Sequence, residues 1–177
     1  MTPTPAIFWP QRGGAWPPGS FRRSSRSISS RRVMSVPVVR PARSFDMDSV
    51  AAIARRPFAA GWSREAYAEE AERTDSIFLV ADDGVVRGYA MARVFEEEAQ
   101  LLDLAAAEDG RGLGRTLWAA LAAAARSRGC RKLTLEVSQM NTRALHFYRR
   151  AGTSIAGRRP NFYKDGSDAI LMDFPLA

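Results

Sequence analysis

Apolar residues recur with two different spacings along residues 36–174, and these spacings predict strands and helices. Short apolar runs bounded by turn residues predict strands at 36–40, 77–81, 85–94, 99–106, 133–137, Ile155 and 168–174. Spacings of three and four predict helices after Asp46 (with Val50, Ile53 and Ala54), from Ser63 to Glu70, over 112–128, and from Asn141 to Arg150. Asp46, Ser63 and Asn141 are the expected N-caps, and Gly129 and Gly152 the expected stops.

The order of these elements indicates how the strands pair. The turn Asp82-Asp83-Gly84 joins two strands into an antiparallel hairpin, and strand 99–106 follows a second short turn. Strand 99–106, helix 112–128 and strand 133–137 favour a parallel pair, because a crossover helix brings the chain back in the same direction. The predicted fold class is therefore α/β in the broad sense. Because the sheet is mixed, the domain is of the α+β type, with helices flanking the sheet.

The positive charge of the chain is concentrated at its start. The formal net charge is +7, but residues 1–33 contain six arginines and no acidic residue. Removing those six charges leaves +1 for residues 34–177, so we expect no direct nucleic-acid binding by the folded domain. One Cys and one His exclude a disulfide framework and a Cys/His zinc site, and we expect no metal.

Residues 1–35, rich in Pro, Gly, Ser and Arg, are predicted to be a disordered extension of a domain at 36–177. Three interpretations stay open for this extension: a transit peptide, a basic arm that touches RNA, or no functional segment, with Met34 favoured as the true initiator. The longest apolar run, Leu117–Ala125, has nine residues, whereas a membrane-spanning helix needs about 20. We therefore expect a soluble, cytoplasmic protein.

A glycine-rich turn, Gly110-Arg111-Gly112-Leu113-Gly114, precedes the helix over 112–128. Glycines let backbone N–H groups approach a ligand closely, and a helix N-terminus favours an anion. Arg115 has the wrong sign for a first helical turn, by about 0.3–1 kcal/mol, unless an anion binds there; an arginine that only points into solvent explains it equally well. The residues at 109, 115 and 117 fail the Walker and dinucleotide patterns.

Motifs over nearly all of residues 36–174 resemble the GNAT superfamily of N-acetyltransferases. The turn Asp109-Gly110-Arg111-Gly112-Leu113-Gly114 is similar to the Gln/Arg-x-x-Gly-x-Gly/Ala turn that holds the pyrophosphate of coenzyme A in that family. The other matching segments are 61–63, 78–81, 101–105, 135–137, Asn141, Ala144, 147–148, Gly152, 158–163 and 168–172. Together they resemble the RimI-type branch, the ribosomal-protein alanine N-acetyltransferases. The resemblance implies the acyl-CoA N-acyltransferase fold, a mixed, mostly antiparallel sheet flanked by helices.

The resemblance also implies roles for particular residues. Glu136 is expected to be the general base, and Tyr148 to serve the departing thiolate. The residues expected to bind acetyl-CoA are Leu104, Ala105, Ala106, Gly110, Arg111, Gly112, Leu113, Gly114, Arg115 and Asn141. One backbone N–H of residues 104–106 is expected to stabilise the developing oxyanion. Arg158 and Tyr163 are the candidates for acceptor recognition.

Two expectations about these groups rest on physical chemistry. Glu136 alternates with Leu135 and Val137, so it faces the other side of its strand, and burial there would raise its pKa. For Tyr148, either the site lowers the pKa of the phenol, or the phenol donates a hydrogen bond before full proton transfer to the thiolate.

The expected activity is direct transfer of an acetyl group from acetyl-CoA to the N-terminal α-amine of a protein such as a ribosomal protein. The expected N-terminal residue of that protein is alanine. Two alternatives remain open: a GNAT enzyme for a small amine or an antibiotic, and a CoA-binding module without catalysis. The chain departs from the family at Asp109, where Gln or Arg is usual, and in a shorter loop from Ala106 to Gly112. We expect these departures to weaken CoA binding without abolishing it.

Overall fold

The computed structural model describes residues 36–55, 62–108, 110 and 112–176, so the extension predicted for residues 1–35 lies outside the described residues. Seven strands form one sheet in the order β1-β2-β3-β4-β5-β7-β6. The strands are β1 (Val38–Pro41), β2 (Ser76–Asp82), β3 (Val86–Phe95), β4 (Glu98–Ala106), β5 (Lys132–Ser138), β6 (Ser154–Arg159) and β7 (Ala169–Pro175). The helices are α1 (Met47–Ala54), α2 (Arg64–Ala71), α3 (Leu113–Ser127) and α4 (Thr142–Arg150), with a 3-10 turn at Ser44–Asp46 before α1.

The pairing of the strands confirms the predicted mixed sheet. β4 and β5 run parallel, and the other neighbours in the sheet run antiparallel. Along the chain, α3 connects the parallel strands β4 and β5, as the strand-helix-strand order predicted. β2 and β3 form the predicted hairpin. The fold class expected from the sequence is therefore confirmed.

Helices cover both faces of the sheet and bury two clusters of apolar side chains. α3 and α4 pack on the first face, and α1 and α2 pack on the second. In β2, Leu79 belongs to the first cluster, while Phe78 and Val80 belong to the second, because successive strand residues point to opposite faces. None of the helices in the described part of the chain is long and apolar enough to cross a membrane.

Side-chain caps begin two of the helices at the predicted residues. Ser63 Oγ accepts a hydrogen bond from the Ala66 N–H at the start of α2, over 3.1 Å. Asn141 Oδ1 accepts one from the Ala144 N–H at the start of α4, also over 3.1 Å. Each cap satisfies an N–H group that the helix itself leaves unpaired.

The predicted cap at Asp46 is wrong. Asp46 precedes α1, but its side chain makes no capping hydrogen bond to that helix. Its carboxylate accepts two hydrogen bonds from the Arg40 guanidinium and one from the Arg43 N–H, each over 2.8 Å. The Arg40 hydrogen bonds are the main reason that the pKa of Asp46 is lowered. The bidentate ion pair with Arg40 of β1 stabilises the Asp46 carboxylate more than one capping hydrogen bond to α1 would, because charge-assisted hydrogen bonds are stronger than neutral ones.

Gly88 in β3 lies where α3 rests on the sheet. A Cβ atom added to Gly88 would lie 2.8 Å from the backbone oxygen of Ala105 and 3.0 Å from Leu117 Cδ1. Only a glycine therefore lets β4 and α3 approach this strand so closely, and this contact lies beside the end of β4.

We expect Gly88→Ala to lower the free energy of unfolding by about 1–3 kcal/mol, because the added methyl group overpacks the contact. Gly157→Ala in β6 is the matched control, since no atom of the described residues beyond its chain neighbours lies within 4 Å of a Cβ there and its φ is not in the left-handed region. That control is expected to be neutral or to gain up to about 1 kcal/mol. Urea unfolding measures both variants, and equal losses would contradict the packing argument.

Candidate active site

A gap opens within the sheet between the two parallel strands, towards their C-terminal ends. β4 and β5 pair at only three positions, from Glu98 with Lys132 to Gln100 with Thr134. Two residues after Gln100, Leu102 is an extra residue in β4, because Met91 pairs with Asp103 and Ala92 with Leu101. A bulge bends its strand and increases the local twist. The rest of β4 and β5 is therefore unpaired along the edges that face each other.

The register of β4 shows which backbone groups face this gap. The Ala107 N–H donates to the Arg87 oxygen over 2.7 Å, and Ala105 pairs with Tyr89. Hydrogen-bonded pairs alternate with non-bonded pairs in an antiparallel ladder, so Ala105 directs its backbone groups to β3. Leu104 and Ala106 direct theirs to the gap. Of the three predicted N–H donors, the geometry thus favours these two over Ala105.

The turn before α3 is open around its glycines. Gly110 and Gly112 adopt φ values of +81° and +74°, which favour glycine. Among the described residues, and apart from the chain neighbours, no atom lies within 4 Å of a Cβ built on Gly110, and at Gly112 only Arg115 Nη2 does, at 3.6 Å. The Arg115 guanidinium therefore lies back over the turn, beside the first N–H groups of α3. Helix N–H groups and a cation in one open turn suit an anionic ligand. The predicted residues Asp109 and Arg111 lie outside the described residues.

Glu136 is a buried carboxylate two residues beyond the last β5 position that pairs with β4. Its residue surface is 7% exposed, and it faces away from Leu135 and Val137, which lie in the first-face cluster. Its Oε1 lies 3.1 Å from Arg159 Nη1, while Oε2 has no hydrogen-bond partner among the described residues. Burial raises the pKa of Glu136, and Arg159 opposes that rise. The predicted direction of the shift is thus confirmed.

Tyr148 is fully buried on α4, on the first face of the sheet. Its ring packs edge-on against Trp118 and Phe147, and its hydroxyl has no hydrogen-bond partner in the described part of the chain. Burial, with a smaller contribution from the charge of Asp103, raises the pKa of Tyr148 well above 10. Of the two alternatives for Tyr148, a lowered pKa is therefore excluded, because no cation or donor among the described residues stabilises its anion, and hydrogen-bond donation is the alternative that remains. Tyr148 is a neutral hydrogen-bond donor.

The segment between β6 and β7 places a second free hydroxyl near Glu136. The Tyr163 hydroxyl is buried without a hydrogen-bond partner among the described residues. Burial is the main reason that the pKa of Tyr163 is raised, and the charge of Glu136 adds to it. Tyr163 is therefore a neutral hydrogen-bond donor within the electrostatic range of Glu136.

The two neighbouring arginines of β6 make different contacts. Arg158 forms an ion pair with Asp168 and donates a 3.1 Å hydrogen bond to Gln139 Oε1, so its guanidinium is engaged beside its own loop. Arg159 is the arginine that reaches Glu136. The sequence named Arg158 as a candidate for acceptor recognition, which stays a prediction, and did not single out Arg159. Only the alternation of side chains along β6, read from its pairing with β7, distinguishes them.

A buried group of three oxygens at the bulge was also missed. Asp103 Oδ2 accepts hydrogen bonds from the hydroxyls of Tyr67, over 3.0 Å, and Tyr89, over 2.7 Å. The two hydroxyl oxygens lie 3.1 Å apart. When Asp103 is ionised, only the two tyrosine hydroxyl protons are available for the three contacts between these oxygens. A protonated Asp103 supplies the third proton. Burial raises the pKa of Asp103, although both tyrosines and the Leu104 N–H oppose that rise. The sequence signal that could have predicted this group is Asp103 itself, a charged residue in the otherwise apolar stretch 101–106 of β4.

We expect the raised pKa of Asp103 to make stability depend on pH. The unfolded carboxyl, with a pKa near 3.9, loses its proton at lower pH than the folded one. The stabilising contribution is therefore complete below that pH and is lost as pH rises through the folded pKa.

Urea unfolding between about pH 4 and pH 8 should show Asp103→Asn gaining stability relative to the native chain as pH rises. Asp48→Asn, at an exposed carboxylate, controls for the change in net charge. A difference between Asp103→Asn and the native chain that stays constant over this range would contradict the argument.

The open sheet, the turn and the buried groups define a class of enzyme. Coenzyme A has amides in its pantetheine arm and an anionic pyrophosphate. The unpaired edge of β4 fits those amides, and the turn at Gly112 fits the pyrophosphate. The free oxygens of Glu136 and Tyr148 leave polar groups for the reacting atoms. No metal cluster of His, Cys, Asp or Glu occurs within the described ranges. The architecture is that of an acyl-CoA-dependent N-acyltransferase.

Comparison with known proteins identifies the family: the chain belongs to the acetyltransferase (GNAT) family, whose profile matches residues 47–153. It is 32% identical over 139 residues to the putative ribosomal protein bS18-alanine N-acetyltransferase of Bacillus subtilis (strain 168), covering 76% of this chain and 92% of that protein. It is 34% identical over 116 residues to streptothricin acetyltransferase of Streptomyces lavendulae, covering 60% and 61%.

A solved structure agrees with this assignment. The crystal structure of the ribosomal-protein-S18-alanine N-acetyltransferase from Escherichia coli is 28% identical, has a TM-score of 0.71, and matches 80% of this chain and 94% of that one. These matches confirm the predicted superfamily and the predicted N-acetyltransferase activity. They also confirm the resemblance to the RimI-type branch. Acetyl-CoA is the acetyl donor, as expected.

Proposed function

We propose that this enzyme acetylates the N-terminal α-amine of a protein, with alanine as the first residue and a ribosomal protein as the acceptor. The observation that carries the proposal is the free, buried Oε2 of Glu136 beyond the last paired position of β5. The relatives named for ribosomal protein bS18-alanine acetylation support the acceptor class. An acceptor on the ribosome implies a cytoplasmic enzyme.

The chemistry of amines favours an α-amine for this site. Only a neutral amine attacks a thioester. An α-amine with a pKa near 7.7–8.0 is neutral in roughly one molecule in ten at pH 7, whereas lysine, near 10.4, is neutral in about one in a few thousand. A single carboxylate with a raised pKa is a modest base, and a modest base is sufficient for the α-amine.

We propose that α3, β4 and α4 hold the acetyl donor, which supplies an acetyl group activated as a thioester. The N–H groups around Gly112, Leu113 and Gly114 would bind the pyrophosphate together with Arg115. Gly110 would keep the turn open, and Asn141, which caps α4, would reach the donor from that helix. The role of Arg111 stays a prediction. One of these N–H groups, that of Leu104 or that of Ala106, would donate to the acetyl carbonyl oxygen as negative charge develops on it, since the two lie about 6–7 Å apart along the strand and cannot share one oxygen.

The two faces of the sheet separate the proton transfers. Glu136 faces away from the α3 side, so its Oε2 would take the proton of an amine that enters from the second face. Tyr148 lies on the α3 side, where its neutral hydroxyl would donate a hydrogen bond to the departing sulfur. Tyr163, beside Glu136, would donate to the acceptor's backbone. These roles need no direct contact between the two catalytic groups.

A small-molecule acceptor is the second candidate. It is favoured by the match to streptothricin acetyltransferase, although that match covers 60% of this chain. The third possibility, a CoA-binding module without catalysis, is disfavoured by the free buried oxygens of both Glu136 and Tyr148. Such groups cost free energy in a protein that does not use them.

The proposed pyrophosphate site predicts an effect of Gly112→Ala. A side chain at this φ of +74° costs about 1–2 kcal/mol and distorts the turn. Calorimetric titration with CoA should show about tenfold weaker binding, since 1.4 kcal/mol corresponds to a factor of ten. Gly129→Ala, at φ +82° beyond the other end of α3, is the matched control and should leave the affinity unchanged. Equal weakening in both variants would contradict the site.

Mass spectrometry of peptides incubated with acetyl-CoA tests the acceptor and the catalytic groups together. We expect acetylation of an N-terminal alanine peptide, and none of the same peptide blocked at its α-amine but carrying a free lysine. Glu136→Gln and Tyr148→Phe should each lower the rate by about 10²-fold or more, because each removes a proton-transfer or hydrogen-bonding group.

Preferential acetylation of streptothricin-like amines over the peptide would favour the second candidate. Full activity in both Glu136→Gln and Tyr148→Phe would refute the proposed roles, while CoA binding without any acetylation would favour the silent module.

A further inference from the structure

Arg159 holds one of the two oxygens of the carboxylate proposed as the base. Its Nη1 lies 3.1 Å from Glu136 Oε1. The guanidinium also lies over the ring of Phe162, 5.5 Å from the ring centre. The Arg159 side chain is 52% exposed, whereas that of Glu136 is 8% exposed. The arginine thus extends from β6 over the carboxylate, on the side that solvent and an acceptor can reach.

The contact with Arg159 fixes the orientation of the Glu136 carboxylate. Oε1 is occupied by the guanidinium, so Oε2 is the oxygen left for the proton of an amine. The Tyr163 hydroxyl is also without a partner among the described residues, and the charge of Glu136 acts on it. A rotating, unpaired carboxylate would present either oxygen to the acceptor, whereas the paired one presents a single oxygen in one orientation.

The contact also changes which form of the amine the site prefers. A lone buried carboxylate binds an ammonium ion as a salt bridge, and so it stabilises the protonated amine that cannot react. With Arg159 in place, the pair carries no net charge, and its guanidinium repels a second cation. The site then gains little from the ammonium form, and the amine loses its proton more readily.

We propose that Arg159 is a positioning residue that directs Glu136 Oε2 to the acceptor and keeps the bound α-amine in its neutral form. The proposal rests on the proposed function, in which Glu136 is the base. Arg159 takes no proton itself, because a guanidinium stays charged throughout the working range of pH.

The other groups around Glu136 do not replace this charge. Tyr163 stays protonated, because burial and the charge of Glu136 raise its pKa. β7 presents the apolar Leu171 at the register position of Glu136. On β5 itself, Thr134 and Ser138 share its face and carry no charge, and Lys132, four residues away on that face, is paired with Glu98 and Asp173. Across the gap, the charge of Asp103 acts on Tyr148. In the described part of the chain, Arg159 is the charge that acts on the pKa of Glu136.

The test is the pH dependence of peptide acetylation by Arg159→Gln. Loss of a nearby opposite charge should move the acidic limb of the kcat profile up by about one pH unit. At pH values below the limb we expect kcat to fall by up to about tenfold, because one pH unit changes the ionised fraction of the base by that factor. Above the limb, kcat should return to the native value. Arg159→Lys should restore the native limb.

A merely structural role for Arg159 predicts a different result: kcat would fall equally at every pH, with no recovery at high pH. That result, or an unmoved limb, would overturn the proposal. Arg93→Gln is the matched control, because it breaks an ion pair with the buried Glu70 elsewhere in the fold. It should leave the limb in place, and a shift as large as that of Arg159→Gln would overturn the proposal too.

A second measurement separates this proposal from the proposed function. Carbon NMR titration of the Glu136 carboxyl, assigned with Glu136→Gln, needs no acceptor and no CoA. We expect its pKa to rise by about one unit in Arg159→Gln, and an unchanged value would overturn the inference. A native enzyme that acetylates no N-terminal peptide, while the titration shifts as expected, would refute the proposed acceptor and leave the ion-pair effect standing.

Discussion

Strands β4 and β5 share a ladder only as far as Gln100 and Thr134, and the backbone beyond those residues needs other partners or a ligand. Each strand keeps its outer neighbour, β3 or β7, so the sheet stays whole while its inner edges separate. Buried N–H and C=O groups cost free energy when they are left unpaired. The bulge at Leu102 therefore creates a slot that a chain with its own amides can fill, and the N-terminal turn of α3 lies at its end.

The two faces of the separated sheet have different electrostatic character. On the α3 side, Tyr148 lies among aromatic rings, where burial keeps its proton in place. On the other side, Glu136 is balanced by Arg159, and Asp103 is balanced by tyrosine hydroxyls and by its own raised pKa. If the phenol and the base bonded to each other, neither would be available to a substrate. Their positions on opposite faces leave both free.

Comparison of the sequence with the structure shows which inferences were local. The cap at Ser63 was predicted correctly, because a cap and the N–H that it binds lie within one turn. The cap at Asp46 was wrong because its stronger partner, Arg40, lies in β1 and no pattern of spacing reveals that pairing. Arg158 and Arg159 are neighbours with the same chemistry, and only the register of β6 on β7 decides which of them reaches the base.

The sequence by itself determined the order of strands and helices, the glycine turn and the alternation that turns Glu136 from its apolar neighbours. These features follow from spacing and turn chemistry within short stretches of chain. The tertiary structure alone decided where β4 leaves β5, which N–H groups face the gap, that Asp103 meets two tyrosines, and that Arg159 holds the carboxylate. Each of these depends on register and packing between residues distant in sequence, and a one-residue shift in register would reverse which face a side chain occupies.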